Sequence, residues 1–345
     1  MENYMNYKSF LVGLSIFSLN QVHATQTFEL HAERDINVQS FFNSSIVGSA
    51  STEFVDPIAQ CEMRFRHSVS TRGRINCHQM KMGSERSDFY GGFREYQRYD
   101  ETQHLVEISQ NFEIQKTEVT QLQWLTVMQG TDKLNPSDFS TDCGSGNYGR
   151  YNVVNHNGEV ESIVICKNSP VENVSYNDIV GDGGFLERLN ASQDDYTYSL
   201  PTEAQWEFSA RGGNLRVNSY GVVYPRYSFG DEHTRLENYA YFRWNSLGGP
   251  NPVGTLRPNQ YGIYDMHGNV WEITADYYER NYGLSDQELQ GITMDPVGPE
   301  DGRVRVIRGG GFSDIPPLLR TAVRSTISED TRSRYTGFRL VRVPR

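Results

Sequence analysis

The most specific segment of the sequence runs from Tyr261 to Glu272 and reads YGIYDMHGNVWE. Asp265 and Glu272 lie on either side of a Gly-Asn-Val turn, and Trp271 can bury a large apolar area. The whole chain has the same character, with 31 Gly, 21 Tyr and 17 Phe among 345 residues. This composition predicts a loop-rich globular protein whose core relies on aromatic side chains.

Four further motifs flank this stretch in a fixed order. The wider central segment is VGTLRPNQYGIYDMHGNVWEITAD, from Val253 to Asp276. The others are Glu118-Val119-Thr120 with Asn135-Pro136-Ser137, PVENVSY at 170–176, LPTEAQWEFSARGG at 200–213, and Arg308-Gly309-Gly310 with Gly337-Phe338-Arg339. An ordered series of this kind hardly arises by chance.

Together these motifs resemble the sulfatase-modifying factor family, whose best-known member is the formylglycine-generating enzyme. The resemblance covers roughly residues 104–343. It implies a loop-rich α+β fold related to C-type lectins. Within such a scaffold Trp206 is expected to pack in the core, and Arg211, Arg324 and Arg339 are expected to tie loops together through two-pronged hydrogen bonds.

The chain divides into three predicted parts. Residues 1–24 resemble a cleavable signal peptide, with an apolar run at 9–19 and Val22-His23-Ala24 at the cleavage point. Residues 25–95 are predicted to form a small β-rich module without a helix, and residues 96–345 the family-like domain. We therefore expect a periplasmic or secreted protein.

The four cysteines fall into two local pairs, Cys61 with Cys77 and Cys143 with Cys166. Export places them in an oxidising compartment, and the absence of a CxxC spacing favours disulfides over metal ligation. The first pair is predicted to join two strands, 62–69 and 74–78. The second flanks a hairpin whose turn is Asn157-Gly158.

Two helix starts are marked by capping boxes. Thr120 with Gln123 and Thr202 with Gln205 each place a hydroxyl and an amide three residues apart, which satisfies free backbone groups at a helix start. A third helix can begin after Ser175, but the glycines at 181, 183 and 184 should weaken or bend it.

The net charge limits the possible partners. The sequence carries 32 Lys and Arg against 43 Asp and Glu, a formal charge of −11. Sequence-independent nucleic-acid binders need a surplus of cations, so this class is not expected. After the first 24 residues, no segment approaches the roughly 20 apolar residues of a transmembrane helix.

The resemblance implies two structural calcium sites. The first would use the side chains of Asp265 and Glu272 with the carbonyls of Gly268 and Val270. The second would use the side chains of Asn238 and Asn245 with the carbonyls of Tyr239 and Leu247. Because both of these side chains are neutral amides, a calcium ion there should bind weakly. The alternative for both sets is a loop held by turn-forming residues.

The catalytic metal of the family has no ligands here. Formylglycine-generating enzymes hold copper with two cysteine thiolates after an Arg-Gly-Gly-Ser motif, and thiolates are the ligands that select Cu(I). In this chain the segment reads RGGGFSDIPPLLRTAVR, with Asp314 in place of the first cysteine. We expect no copper, and no replacement of these ligands by Cys143 and Cys166.

Two functions remain open on the sequence. The first is an exported, non-catalytic member that binds a protein, peptide or glycan of the cell envelope. The second is an enzyme with altered chemistry, related to the maturation of the pyoverdine chromophore or, less favoured, to formylglycine formation. In that case Asp314 would act as general base or metal ligand in a pocket with Trp271, Arg320 and Arg324. The eight histidines form no iron-binding cluster in the sequence, and His267 is expected to have a supporting or surface role.

Overall fold

The computed structural model describes residues 27–29, 53–65, 76–84, 89–90, 93–94, 100–141, 143, 147–192, 195–213, 216–218 and 221–345. Short helices and strands alternate in these ranges and are joined by long loops, as expected for a loop-rich α+β protein. The predicted signal peptide at 1–24 lies outside the described residues.

The helices of the described ranges are short. The α-helices are α1 Pro57–Phe65, α2 Gln121–Val127, α3 Tyr176–Val180, α4 Phe185–Ala191 and α5 Glu203–Arg211. Short 3-10 helices occur at His233–Asn238, Glu288–Gln290 and Pro316–Leu319. In this part of the chain, no helix has the length and apolar character needed to cross a bilayer.

The strands form small sheets rather than one large sheet. The first nine are β1 Thr27–Glu29, β2 Phe54–Val55, β3 Gln79–Met82, β4 Phe89–Tyr90, β5 Phe93–Arg94, β6 His104–Glu107, β7 Glu113–Gln115, β8 Tyr148–Val154 and β9 Val160–Cys166. The others are β10 Tyr196–Ser199, β11 Arg216–Asn218, β12 Gly221–Val223, β13 Trp271–Tyr277, β14 Ile292–Met294, β15 Arg305–Arg308, β16 Arg324–Ile327, β17 Thr336–Gly337 and β18 Val341–Pro344. Two four-stranded sheets have the orders β10-β18-β7-β2 and β16-β15-β13-β17, and the three-stranded sheets are β1-β8-β9 and β14-β6-β3.

The predicted capping boxes are confirmed. Thr120 Oγ1 accepts the backbone N–H of Gln123, and the Gln123 side chain accepts the N–H of Thr120. Thr202 and Gln205 make the same exchange at the start of α5, which ends at Gly212 with φ +58°. Ser175 starts α3 in the same way, and a separate helix, α4, follows after Gly184.

Both predicted disulfides are present, and the Cα atoms of each pair are 5.7 Å apart. Cys143 and Cys166 flank the β8–β9 hairpin, whose turn lies at 155–159, as predicted. The prediction of a strand over 62–69 is wrong where the structure describes it, because Cys61 and the residues up to Phe65 belong to α1. Asp56 starts this helix by accepting the N–H groups of Ile58 and Ala59.

The strands of the amino-terminal region pair with the rest of the chain. β2 lies antiparallel to β7, β3 antiparallel to β6, and β1 parallel to β8. A β-rich module is therefore not confirmed as such, and the division of the chain at residue 95 stays a prediction. The helix α1 also corrects the expectation that this region lacks one.

Two aromatic clusters form most of the described core. In the first, the rings of Trp124 and Phe338 each lie 5.3 Å from the ring of Phe185. The second surrounds Trp206 on α5, which is wholly buried, and includes Phe208 and Tyr261. Between them runs the sheet of β13 and β15, which carries Trp271 and Glu272 and leads into the Arg308-Gly309-Gly310 loop.

Candidate functional site

The loop after β15 closes around the carboxylate of Asp314. Its Oδ2 accepts the indole N–H of Trp271 at 2.7 Å and the backbone N–H of Gly311 at 2.9 Å. The Asp314 N–H in turn donates to the Gly311 carbonyl at 3.0 Å, and the Asp314 carbonyl accepts the N–H of Arg243 at 3.0 Å. A side chain at Gly311 would lie 3.2 Å from the Trp271 ring, so the loop passes close to the indole.

Aromatic side chains surround this loop. The ring of Phe312 lies 5.4 Å from that of Phe139 and 5.3 Å from that of Tyr335. Trp244 stands 5.4 Å from Phe242, on the loop whose Arg243 contacts Asp314. We call the surface formed by Phe139, Trp244, Asp314 and Tyr335, beneath which Phe312 is buried, the Asp314 face. Trp244 is 65% exposed and Tyr335 is 42% exposed, which is unusual for large aromatic residues.

The two arginines predicted beside Asp314 lie in other ion pairs. Arg320 forms a two-pronged pair with Glu101, at 2.8 and 2.9 Å. It also lines a cavity of about 260 Å³ together with Arg211, Arg226 and Tyr224. Arg324 is wholly buried and pairs with both oxygens of Glu203, at 2.6 and 2.7 Å. Neither arginine bonds to Asp314 in the described ranges, whereas Trp271 does.

No cysteine of the sequence is available as a thiolate. All four are described, and all four are joined in the two disulfides. Within the described ranges, no group of three or more His, Cys, Asp or Glu side chains is arranged to hold a metal ion.

The central motif is anchored by Glu272. Its carboxylate receives two hydrogen bonds from Arg339, at 2.6 and 2.7 Å, and a third from the Trp206 indole at 2.7 Å. A carboxylate has about four acceptor positions, so three are already in use. In this structure Glu272 cross-links Arg339 and Trp206, and the calcium-ligand role that the resemblance implies stays a prediction.

Asp265 lies at the other end of the turn and has a left-handed φ of +57°. Its Oδ2 accepts the N–H of Gly254 at 2.7 Å, whereas Oδ1 is buried and has no partner among the described residues. Burial raises the pKa of Asp265 to about 6. Burial and the neighbouring Asp265 raise the pKa of Glu118 well above its usual range. Glu118 is the residue that the sequence analysis missed, although it stands in the first motif.

The turn itself is tightly packed. Gly268 has φ +82°, and a Cβ there would meet the carbonyl oxygen of Tyr241 at 2.1 Å, so only glycine fits. Val270 is wholly buried. His267 is buried as well, accepting the N–H of Ser228 at Nε2 and contacting the Leu319 carbonyl through Nδ1. Burial lowers the pKa of His267 to about 4, which fits a supporting role in the core and not a surface one.

The second implied calcium set lies in a surface loop. Asn245 accepts the N–H of Phe242 at 2.8 Å and donates to the Ala240 carbonyl at 2.9 Å. Asn238 is exposed, and its amide donates to the Arg235 carbonyl at 3.3 Å. The Tyr239 ring stacks on Phe229 at 4.3 Å, and Leu247 is wholly exposed with φ +58°. Both amides thus make hydrogen bonds within their own loop, and the implied calcium site there stays a prediction.

Comparison with known proteins identifies the family. The sulfatase-modifying factor enzyme 1-like domain matches residues 66–344. The formylglycine-generating enzyme of Thermomonospora curvata is 32% identical over 201 residues, covering 54% of this chain and 60% of that enzyme. The chain thus spans about three fifths of the length of this relative.

Two solved structures share the fold. One is Treponema denticola variable protein 1, with a TM-score of 0.55 at 24% identity, over 76% of this chain and 94% of that one. The other is PvdO from Pseudomonas aeruginosa, with a TM-score of 0.53 at 22% identity, over 76% of this chain and 90% of that one. The ordered motifs, the loop-rich fold and the match over residues 66–344 agree, and the chain belongs to the sulfatase-modifying factor family.

Proposed function

We propose that this chain is an exported, C-type-lectin-like, non-catalytic member of its family that binds a protein or peptide segment on the Asp314 face. The observation that carries the proposal is the pairing of all four cysteines in disulfides. Formylglycine generation in this family depends on a copper ion held by thiolates, and this chain has no thiolate to offer.

The bonding of Asp314 supports the same proposal. Its Oδ2 is held by the Trp271 indole and the Gly311 N–H, so this oxygen shapes the loop. Its Oδ1 accepts no hydrogen bond from a described residue, and the side chain is half-buried. That oxygen can accept an N–H group from a ligand that lies across the loop.

The residues of the Asp314 face suit a protein ligand. Trp, Tyr and Arg are the residue types most enriched at the energetic centres of protein interfaces. Trp244 and Tyr335 are exposed here, and the Arg334 guanidinium lies 4.4 Å from the Phe139 ring centre. The exposed aromatic rings beside one carboxylate offer stacking contacts and one charged anchor.

The two disulfides also support export. Such bonds persist in oxidising compartments and are rare in the cytosol. Both pairs close short loops, with sequence separations of 16 and 23 residues. A periplasmic or extracellular location would keep both bonds oxidised.

A binding experiment tests the proposal. Peptides selected from a random display library on the purified protein would be measured by calorimetry, and a glycan array would be probed in parallel. We expect Trp244→Ala and Tyr335→Ala each to weaken peptide binding at least tenfold. Met294→Ala is the matched control, because Met294 is 61% exposed but lies on β14 in another sheet.

The outcomes separate the alternatives. Peptide binding that responds equally to the control and to the two aromatic substitutions would contradict a role for the Asp314 face. If only glycans bind, and the same two substitutions weaken that binding, the Asp314 face is still the binding site. Its ligand would then be a glycan and not a peptide.

A further inference from the structure

Three arginines line one polar cavity, which shares no residue with the Asp314 face. The cavity measures about 260 Å³, slightly below the roughly 300–1,000 Å³ that is typical of small-molecule sites. Its wall includes Gln103, Arg211, Tyr224, Arg226, Asp231 and Arg320. Cations therefore outnumber anions in this wall, although the whole chain has a formal charge of −11.

Arg211 brings two unengaged donor groups to the cavity. Its side chain is only 5% exposed. Nε and Nη2 both donate to the Glu207 carboxylate, and Nη2 also donates to the Gly83 carbonyl at 2.7 Å. These bonds use three of the five N–H groups of the guanidinium. The two on Nη1 donate to no described residue, and side-chain donors this far from bulk solvent normally have an acceptor.

The positive charge of Arg211 is only partly balanced. Its partner Glu207 is wholly buried and is shared with a second guanidinium, that of Arg308. Asp100 adds a negative charge to the same network, but it does so beside Arg324, at the opposite end. The consecutive partners in the network are Arg211, Glu207, Arg308, Glu203 and Arg324. Two carboxylates thus serve three guanidiniums, and the cavity lies at the Arg211 end.

The rest of the wall can complete a site for an oxyanion. The side-chain amide of Gln103 is half-buried and donates to no described residue. Arg320 is held in place by its two-pronged pair with Glu101. The backbone N–H of Arg226 donates to Asp231 at 2.9 Å, so the one carboxylate of the wall is already engaged there. Guanidinium and amide donors are the groups that recognise carboxylates and phosphates.

We propose that this cavity binds a small molecule through a carboxylate or phosphate group, with Nη1 of Arg211 and the amide of Gln103 as donors. Water could satisfy the same N–H groups, but only an anion also offsets the charge of Arg211. The volume limits the ligand to a small metabolite-sized acid or phosphate. This role goes beyond the binding role proposed for the Asp314 face and does not depend on it.

The test titrates the full chain with inorganic phosphate and with succinate, by calorimetry in a buffer free of other oxyanions. We expect one site for at least one of the two anions, and at least a tenfold loss of affinity in Gln103→Leu and in Arg226→Gln. Arg188→Gln is the matched control, because it removes the same charge from a half-buried side chain that donates to the Val127 and Gln129 carbonyls outside the cavity. Its affinity should be unchanged.

The two probes separate the two ligand classes. Tighter binding of phosphate would assign a phosphorylated ligand, and tighter binding of succinate would assign a carboxylate. Succinamide has the size of succinate without its charge and should not bind. The proposal would be overturned if neither anion binds, if succinamide binds as well as succinate, or if Arg188→Gln weakens binding as much as Arg226→Gln.

Hydrogen–deuterium exchange of the unaltered chain gives a readout that does not depend on a variant folding. The bound anion should slow exchange at residues 83–84 and 320–322, which lie in or beside the cavity wall. Exchange in the β8–β9 hairpin should stay the same, because no residue of the hairpin lines the cavity. Binding without slower exchange at the wall would place the anion elsewhere and contradict the proposal.

Discussion

The Glu272 carboxylate and the Arg339 guanidinium form a two-pronged ion pair, with Oε2 at 2.6 Å from Nε and Oε1 at 2.7 Å from Nη2. Neither side chain is exposed. The pair joins the start of β13 to the Gly337-Phe338-Arg339 segment, which is 67 residues away in sequence. It therefore links two of the motifs that define the family resemblance.

Removal of one partner of this pair should be severely destabilising. We expect Arg339→Met to lower the free energy of unfolding by about 3–5 kcal/mol, because Glu272 would remain buried and charged. Lys116→Met is the control, since Lys116 and its partner Glu53 are 31% and 53% exposed. That change should cost about 1 kcal/mol or less. Urea denaturation measures the free energy of unfolding of both variants. Equal losses of stability would contradict the role given to the buried pair.

The two disulfides should contribute similarly to stability. Chain-entropy arguments give about 3 kcal/mol for closing loops of this length. The double substitution of Cys61 and Cys77 by alanine should therefore lower the free energy of unfolding by about 3 kcal/mol, and the same change at Cys143 and Cys166 by a similar amount. Denaturant unfolding of the oxidised protein gives the reference. No loss in either double variant would show that its disulfide does not stabilise the fold.

Asp276 should make stability fall with rising pH. Burial and the negative charge of Glu203 raise the pKa of Asp276 to about 8, whereas an unfolded aspartate titrates near 3.9. Between about pH 4 and 8 the folded state keeps a proton that the unfolded state has released, so the free energy of unfolding drops by up to about 1.4 kcal/mol per pH unit.

Asp276→Asn tests this dependence. An asparagine oxygen can still accept the N–H of Glu203, which Asp276 accepts at 2.6 Å. Urea unfolding at pH 5, 6.5 and 8 should show a flatter profile in the variant and a relative gain in stability at pH 8. Parallel profiles for the two proteins would mean that Asp276 is ionised in the folded state.

Trp271 should control the order of the Asp314 loop. Trp271→Phe removes the indole donor and leaves Asp314 Oδ2 with only the Gly311 N–H. Loss of a hydrogen bond to a charged group costs about 1.5–3 kcal/mol. Amide exchange at Gly311 and Asp314 should accelerate, with exchange in the distant β8–β9 hairpin unchanged. If exchange at Gly311 stays the same, the indole bond is not what holds the loop.

Short sequence motifs predicted the helix starts and the turn that are stabilised by hydrogen bonds between neighbouring residues. The capping boxes at Thr120 and Thr202 satisfy backbone groups within three residues, and the Asn157-Gly158 turn joins adjacent strands. Helix α1 was missed although Asp56-Pro57 is a good helix start. The region was interpreted as strands because its apolar and polar residues alternate.

The sequence could not predict the arrangement of the site, because contacts between distant parts of the chain bring its residues together. Arg320 pairs with Glu101 across 219 residues, and Glu118 meets Asp265 across two motifs that the sequence separates widely. Neither the hydrophobic periodicity nor the residue spacing of the sequence predicts which carboxylate pairs with which arginine. The family resemblance grouped Asp265 with Glu272, and the structure adds that Glu272 bonds to Arg339 and that Asp265 lies close to Glu118.

The central claim is that this chain binds without oxidising cysteine. The most direct measurement incubates the oxidised protein with Cu(I), oxygen and a sulfatase-type cysteine peptide, and follows aldehyde formation by mass spectrometry beside an active formylglycine-generating enzyme. We predict no aldehyde above the protein-free control, because Cys61, Cys77, Cys143 and Cys166 are all in disulfides. Aldehyde that forms in proportion to this protein, and that is lost when Cys143 and Cys166 are replaced, would contradict the account.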